Sequence, residues 1–303
     1  MTQTATLSEQ TVLVTGASSG IGLETVRALA EQGATVVLVS RGSGSGAEVA
    51  ETLRRETGNS NLHYLPADLS SLADIRRVAA EFSKRFEHLD VLVNNAGAFF
   101  SKRKVTTDGF EQTFALNHLS YFLLTHLLLP KLLQSPAARV VNVASQAETF
   151  GRIHDDPMLK ENYGGWKAYS QSKLANLMFT YKLARALADT PVTVNALHPG
   201  AVATGFGGGG GVASTFFKLA RPFLKTPAQG AQTAIYLASS PAVAGISGRY
   251  YSSEKPMSSS ARSHDRAEQE KLWRVSSELV SLTDAEAAPL RNVGRNAEPE
   301  ETL

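Results

Sequence analysis

Tyr169 and Lys173 stand four residues apart in a stretch whose pattern predicts a helix from about Trp166 to Ala188, so both side chains project from one face. A free phenol ionises near pH 10, too high for an efficient base at neutral pH, and a neighbouring ammonium favours the phenolate. Such a phenol can give a proton to a carbonyl oxygen or take one back from an alcohol. Ser145 follows the run Val141-Asn142-Val143-Ala144, which reads as a buried strand. At the carboxyl end of a strand its hydroxyl can hydrogen-bond a substrate oxygen and stabilise developing charge. Near the chain start, Thr15-Gly16-Ala17-Ser18-Ser19-Gly20-Ile21-Gly22 lies between a β-branched run and a helical pattern. Its glycines let backbone approach a pyrophosphate, and the helix N-terminus adds unpaired N–H groups and partial positive charge. Together these groups point to proton transfer at a carbonyl or alcohol beside a phosphate-bearing cofactor.

The elements that must hold these groups alternate. Strands are predicted at Thr11–Thr15, Thr35–Ser40, Leu62–Leu65, Leu89–Val93, Arg139–Val143, Val192–Ala196 and Arg249–Ser252. Between or after them, helices are predicted at Ile21–Gln32, Ala47–Glu56, Ser71–Arg85, Pro227–Ser239 and Ser263–Leu282. Strands that are apolar throughout are buried on both faces, and their alternation with helices implies a parallel sheet covered on both sides. The fold class is α/β, a doubly wound parallel sheet of about seven strands in a single domain with a C-terminal helical extension. Residues 1–10 read as an N-terminal tail, 11–282 as the domain, and 283–303 as a flexible C-terminal tail. Residues 201–226, with five consecutive glycines at Gly207–Gly211, read as a mobile substrate lid.

Composition sets limits. The chain has 303 residues, no cysteine and a net charge of +2. It therefore offers no disulfide, thiolate metal site or catalytic thiol, and gives no electrostatic case for nucleic acid. Met1–Gln10 lacks the basic and apolar regions of a signal peptide. Leu119–Leu133 holds eight leucines but is broken by Ser120, Thr125, His126, Pro130 and Lys131, so it reads as a buried helix, not a membrane span. The expected location is cytoplasmic.

The glycine spacing G-x-x-x-G-x-G, Asn94-Asn95-Ala96-Gly97, Asn117, Ser145, Tyr169, Lys173 and Pro199-Gly200 occur in the order of the short-chain dehydrogenase/reductase family. The resemblance covers about residues 11 to 252. Leu116–Thr125, Tyr169–Asn176 and His198–Thr204 are similar to blocks of its retinol dehydrogenase-like branch. It implies an oxidoreductase interconverting a carbonyl and an alcohol on a largely apolar small molecule. The cofactor supplies hydride and no metal takes part. The implied tetrad is Asn117, Ser145, Tyr169 and Lys173, with Asn117 helping to order a water beside Lys173. The implied cofactor-binding residues are Gly16, Ser18, Ser19, Gly20, Ile21, Gly22, Ser40, Arg41, Asp68, Leu69, Asn95, Ala96, Gly97, Tyr169, Lys173, Pro199, Gly200, Val202 and Thr204. Asp68 would accept from the adenine amino group. Many members pair through helices corresponding to about 105–134 and 166–188, which leaves a homodimer open.

Cofactor choice turns on Ser40-Arg41. An NAD site usually places an acid there for the ribose 2′-hydroxyl. Serine followed by a guanidinium suits a 2′-phosphate, so NADP(H) is expected. Two other readings stand beside the enzyme: a non-catalytic NADP(H)-binding sensor or scaffold, and a light-dependent tetrapyrrole reductase of the protochlorophyllide type. An intact tetrad argues against the first, and the absence of cysteine against the second. His118 reads as a packed residue, His154-Asp155-Asp156 as a polar loop, His198 as a loop residue and Lys102-Arg103-Lys104 as solvated surface. Phe99, Phe100, Tyr163, Trp166, Phe206, Phe216 and Phe217 flank the expected site.

Overall fold

The structure, a computed structural model, describes residues 7–42, 45–202 and 224–295. Eight strands form one sheet: β1 Thr11–Thr15, β2 Thr35–Ser40, β3 Leu62–Pro66, β4 Val91–Asn94, β5 Arg139–Val143, β6 Thr193–His198, β7 Tyr250–Ser252 and β8 Lys255–Pro256. Their order is β3-β2-β1-β4-β5-β6-β7-β8. The first seven run parallel, and β8 returns antiparallel along β7. The two-residue β8 has no periodic signal, which is why the sequence pattern misses it.

The strand pattern follows from the layers. Leu13, Val37, Val39 and Leu92 point into one hydrophobic cluster, while their neighbours Val12, Val14, Val36, Leu38, Val91 and Val93 point into another. Alternate side chains leave opposite faces of a strand, so a sheet covered twice needs apolar residues at every position. Helices α1 (Gly20–Glu31) and α2 (Ser45–Thr57) cover one face; α3 (Leu72–Arg85) covers the other. On that second face the short turn α4 (Gln112–Phe114) runs through a π-helical turn, Ala115–Leu119, into α5 (Ser120–Leu132). The long α6 (Gly165–Ala186) lies beside it, and α7 (Pro227–Ser239) packs with α1 on the first face.

Helix α8 (Arg266–Leu279) and helix α9 (Asp284–Arg295) complete the second face. Leu272 and Val280 join its core, and Trp273 packs edge-on against Phe122 and His126, with ring centroids 5.1 Å away in each case. This explains how the leucine-rich α5, apolar on nearly every side, is buried on nearly every side. It also covers, within one chain, faces of the two helices through which the resemblance implied pairing of copies. The segment from Asp284, read from sequence as a flexible tail, is helical to Arg295. Its Leu290 packs on the core and its Glu286 pairs with Arg76. Composition hid this helix because it buries only a few apolar side chains. Among the described residues no helix is long and apolar enough to cross a membrane.

Candidate active site

A parallel sheet opens a crevice where neighbouring connections diverge, at the carboxyl ends of β1 and β4. The glycine loop lies there. Gly16 and Gly20 adopt φ of 65° and 56°, left-handed values that glycine takes without strain. A Cβ on Gly16 would stand 2.9 Å from the Ala96 Cα, and one on Gly22 would stand 2.3 Å from the Gly16 carbonyl oxygen. The loop therefore closes against α1 and β4 only with hydrogen at these positions. Ser18 is half-buried and Ser19 exposed. Ser19 precedes α1 in extended conformation without a side-chain cap, and the first turn of α1 carries no acid. The orphan amides there fit an anion.

Asn95 and Thr15 brace this cradle. The Thr15 hydroxyl accepts from the amides of Asn95 and Ala96, at 2.8 and 3.0 Å. The Asn95 amide side chain donates to the carbonyls of Thr15 and Gly16, at 2.8 and 3.4 Å. Asn95 thus spends its side chain on holding the two loops together. Thr15 was not singled out from sequence, because a threonine ending a strand reads as strand alone.

At the end of β2, Ser40 is buried and its hydroxyl oxygen has no hydrogen-bond partner among the described residues. Arg41 next to it is exposed. The Tyr64 hydroxyl donates to the Ser40 carbonyl at 3.1 Å and also to that of Gly42, tying down the backbone on both sides of Arg41. Tyr64 is a second residue the sequence pattern passed over. Asp68 is exposed, and its carboxylate accepts from the Ser70 amide and hydroxyl at 3.0 and 2.8 Å. Leu69 belongs to the hydrophobic core, so its side chain is directed inward. The glycine cradle, the unpartnered Ser40 hydroxyl and the Arg41 guanidinium fit a dinucleotide.

The proposed catalytic residues converge beside the cradle. Ser145 ends the β5 connection, where its hydroxyl caps a short 3-10 turn by accepting from the Ala147 amide at 3.2 Å. Tyr169 and Lys173, on the first turns of α6, are both buried. Burial pushes the Tyr169 phenol up to about 12, against the opposing hydrogen bond with Ser145. Burial also pushes the Lys173 ammonium down to about 7. Lys173 donates to the Val143 carbonyl at 2.9 Å, and its nitrogen lies 5.7 Å from the centre of the Tyr169 ring. In the protein without cofactor, burial therefore favours the neutral phenol and the neutral amine alike.

Asn117 sits in the π-helical turn, a feature that often marks functional sites. Its side-chain oxygen accepts from the Ala98 amide at 2.9 Å, and its nitrogen donates to the Ala98 carbonyl and the Ser172 hydroxyl, each at 3.0 Å. Gly97 lies at the point where these groups meet: a Cβ there would stand 3.2 Å from the Asn117 oxygen and 3.5 Å from the Lys173 nitrogen.

Across the site, Pro199 and Gly200 follow β6, with Gly200 at φ 89°. Val202 bridges to Lys225, and a Cβ on Gly230 of α7 would stand 2.6 Å from Val202 and 3.2 Å from Ile21. Val202 thus packs over the start of α1. Thr204, Phe206, the Gly207–Gly211 run, Phe216 and Phe217, with most of the expected lid, lie outside the described residues. Among the expected aromatics, Phe99 and Trp166 stand 6.0 and 6.1 Å from the Tyr169 ring; Phe150, which the sequence reading did not single out, stands 6.2 Å from Trp166. Phe150 and Trp166 are 72% and 55% exposed, large values for rings that line the approach to a buried phenol. Tyr163 turns away, donating to the Phe100 carbonyl at 2.8 Å.

The residues set aside have ordinary employment. His118 is fully buried between Asn176 and Ser276 and is pushed down to about 4 by burial. Asp155 pairs with Lys271, and Asp156 accepts from the amides of Met158 and Lys160. His198 accepts from the Gln146 amide at 3.4 Å, tying β6 to the Ser145 turn.

A doubly wound sheet with a phosphate cradle at its switch point and a phenol, ammonium and hydroxyl beside it defines a dinucleotide-dependent oxidoreductase. The family model described as short chain dehydrogenase matches residues 10–209. Retinol dehydrogenase 12 of Mus musculus is 41% identical over 272 residues, which cover 89% of this chain and 86% of that protein. The crystal structure of an uncharacterized protein from Mycobacterium paratuberculosis superposes with a TM-score of 0.75 and 33% identity, covering 92% of this chain and 96% of that one. A short chain dehydrogenase from Shigella flexneri complexed with NADP gives a TM-score of 0.67 at 25% identity, over 84% of this chain and 100% of the other. The chain belongs to the short-chain dehydrogenase family, and within it is similar to retinol dehydrogenases. Membership brings an NAD(P)(H) cofactor and a small-molecule substrate.

Proposed function

We propose that the protein is an NADP(H)-dependent oxidoreductase interconverting a carbonyl and an alcohol on a largely apolar small molecule. The observation that carries this is the buried Tyr169, hydrogen-bonded to Ser145, one helical turn from the Lys173 ammonium and beside the Gly16–Gly22 cradle. A phenol held up to about 12 is protonated at neutral pH, the form that donates to a carbonyl oxygen. When bound, a reduced nicotinamide supplies the hydride that the carbonyl carbon accepts.

Ser145 orients the carbonyl oxygen by hydrogen bonding. The Tyr169 hydroxyl gives its proton to that oxygen as the alcohol forms. Lys173 offers its charge to the phenolate left behind. Asn117 keeps the Gly97–Ala98 backbone and the α6 turn in register around Lys173. Gly16, Ser18, Ser19, Gly20, Ile21 and Gly22 cradle the pyrophosphate, with Ala96, Gly97, Pro199, Gly200 and Val202 around it. Ser40 and Arg41 take the 2′-phosphate. The bound NADP of the Shigella relative supports that choice. Phe99, Phe150 and Trp166 favour an apolar substrate body.

A panel of aldehydes and ketones, followed by oxidation of NADPH or NADH, tests the reading. Turnover with apolar carbonyls and a preference for NADPH is expected. Tight NADPH binding with no turnover across the panel would overturn it in favour of a sensor, and a preference for NADH would overturn the role of Arg41.

A further inference from the structure

Tyr121 has no part in the arrangement so far, yet it faces the same ammonium. It lies one turn after Asn117, so Asn117 and Tyr121 form a second pair spaced by four residues, opposed to Tyr169 and Lys173. Asn117 meets α6 at Ser172, and the Lys173 nitrogen lies 6.0 Å from the centre of the Tyr121 ring. With Tyr169 at 5.7 Å, the ammonium stands between two aromatic rings, each at the distance over which a ring attracts a cation. Tyr121 is only 1% exposed, and its hydroxyl has no hydrogen-bond partner among the described residues. Burial holds that phenol well above its ordinary value, so Tyr121 stays neutral and is no rival acid.

The charged form of Lys173 needs such help. Burial works against it, and its hydrogen bond to the Val143 carbonyl uses one of three N–H donors. The carboxylates packed near α6 are committed elsewhere: Glu148 accepts from the Ser260 amide and hydroxyl, Glu111 caps α4, and Glu270 pairs with Lys182 farther along α6. On the sheet side His198 is bonded to Gln146, on the π-helical turn His118 is bonded to Asn176, and Arg139 points to carbonyls of α7 and Ser240. At the C-terminal side Arg262 donates to the Gly151 carbonyl, His264 meets Ser259, and Glu286 of α9 pairs with Arg76.

We propose that Tyr121 is a positioning residue that acts through Lys173: its ring face holds the buried ammonium charged beside Tyr169. The proposal rests on the reading that Lys173 works in its charged form.

The test is a titration of the cofactor-free protein with lysine labelled at Cε by 13C, the Lys173 signal being assigned with Lys173→Arg. It needs no turnover, so it stands even if no carbonyl substrate is found. Tyr121→Phe keeps a ring face, and its Lys173 should titrate with the wild type. Tyr121→Leu removes the ring, and its Lys173 should lose its proton about 0.5 to 1 pH unit lower. Pentafluorophenylalanine at position 121 keeps the shape but not the negative face. It should follow Tyr121→Leu, and it decides the matter if the leucine variant does not fold. In carbonyl reduction the alkaline limb of kcat/KM should move down by the same amount in Tyr121→Leu. The proposal is overturned if the ring-removed and fluorinated proteins titrate with the wild type, or if Tyr121→Phe shifts as far as Tyr121→Leu.

Discussion

Helix α6 carries two buried polar clusters less than one turn apart, and they face different surroundings. At Asn176, the histidine opposite is bonded at both ring nitrogens, to Asn176 at 3.3 Å and to the Ser276 hydroxyl of α8 at 3.0 Å. One layer away, Asn94 donates to Thr125 and Asn142, and Asn142 to Thr180, again within the core. At Tyr169 and Lys173 burial again favours the neutral forms, but here the partners, the Ser145 hydroxyl and the Val143 carbonyl, lie at the end of β5 where the crevice opens. A polar group whose partners are supplied steadies the fold. One held beside a crevice with its proton affinity shifted by burial is placed to exchange that proton with a ligand.

Four substitutions bear on that contrast, taken from the largest effect on turnover to the smallest. Tyr169→Phe removes the donor and keeps the ring; kcat/KM for carbonyl reduction should fall about 10²- to 10⁴-fold, with melting temperature and NADPH affinity near wild type. Ser145→Ala should cost about 10²- to 10³-fold in kcat. It should also cost about 1 kcal/mol of stability in a denaturant titration, because the Ala147 amide loses its cap. Arg41→Ala should leave kcat alone and reduce the preference for NADPH over NADH by roughly tenfold or more, the worth of a charged hydrogen bond.

His118→Leu should have the smallest effect on turnover, within about threefold, while costing about 1–3 kcal/mol in urea because Asn176 and Ser276 lose their partner. His118 and His126 are both pushed by burial from 6.5 to about 4. The unfolded chain therefore binds more protons than the folded one in that window. Their contribution to stability is full above about pH 6.5 and is lost as pH falls toward 4. Melting temperatures across this range should fall less steeply in His118→Leu than in the wild type.

Much of this could be read from the residues. Strands β1, β2 and β5 agree with the sequence pattern at both ends, because strands apolar on both faces leave an unbroken signal. The glycine loop was legible because glycine has few uses between a strand and a helix. What escaped were residues that work through partners distant in sequence: Thr15 clasping Asn95, Tyr64 holding the Arg41 loop, and Tyr121 against Lys173. The burial of Tyr169 escaped too. Sequence shows that an ammonium is near, but not how completely both groups leave water. Helix α9 escaped because a helix with a narrow apolar stripe and a proline reads as a tail.

The central claim is that burial keeps the Tyr169 phenol protonated and ready to donate. Titration of the cofactor-free protein with tyrosine labelled at Cζ by 13C, with the Tyr169 signal assigned by Tyr169→Phe, measures this directly. The phenol should stay protonated beyond the ordinary 10.0 and approach about 12. Ionisation below that ordinary value would contradict the account, and would show that Lys173 outweighs burial.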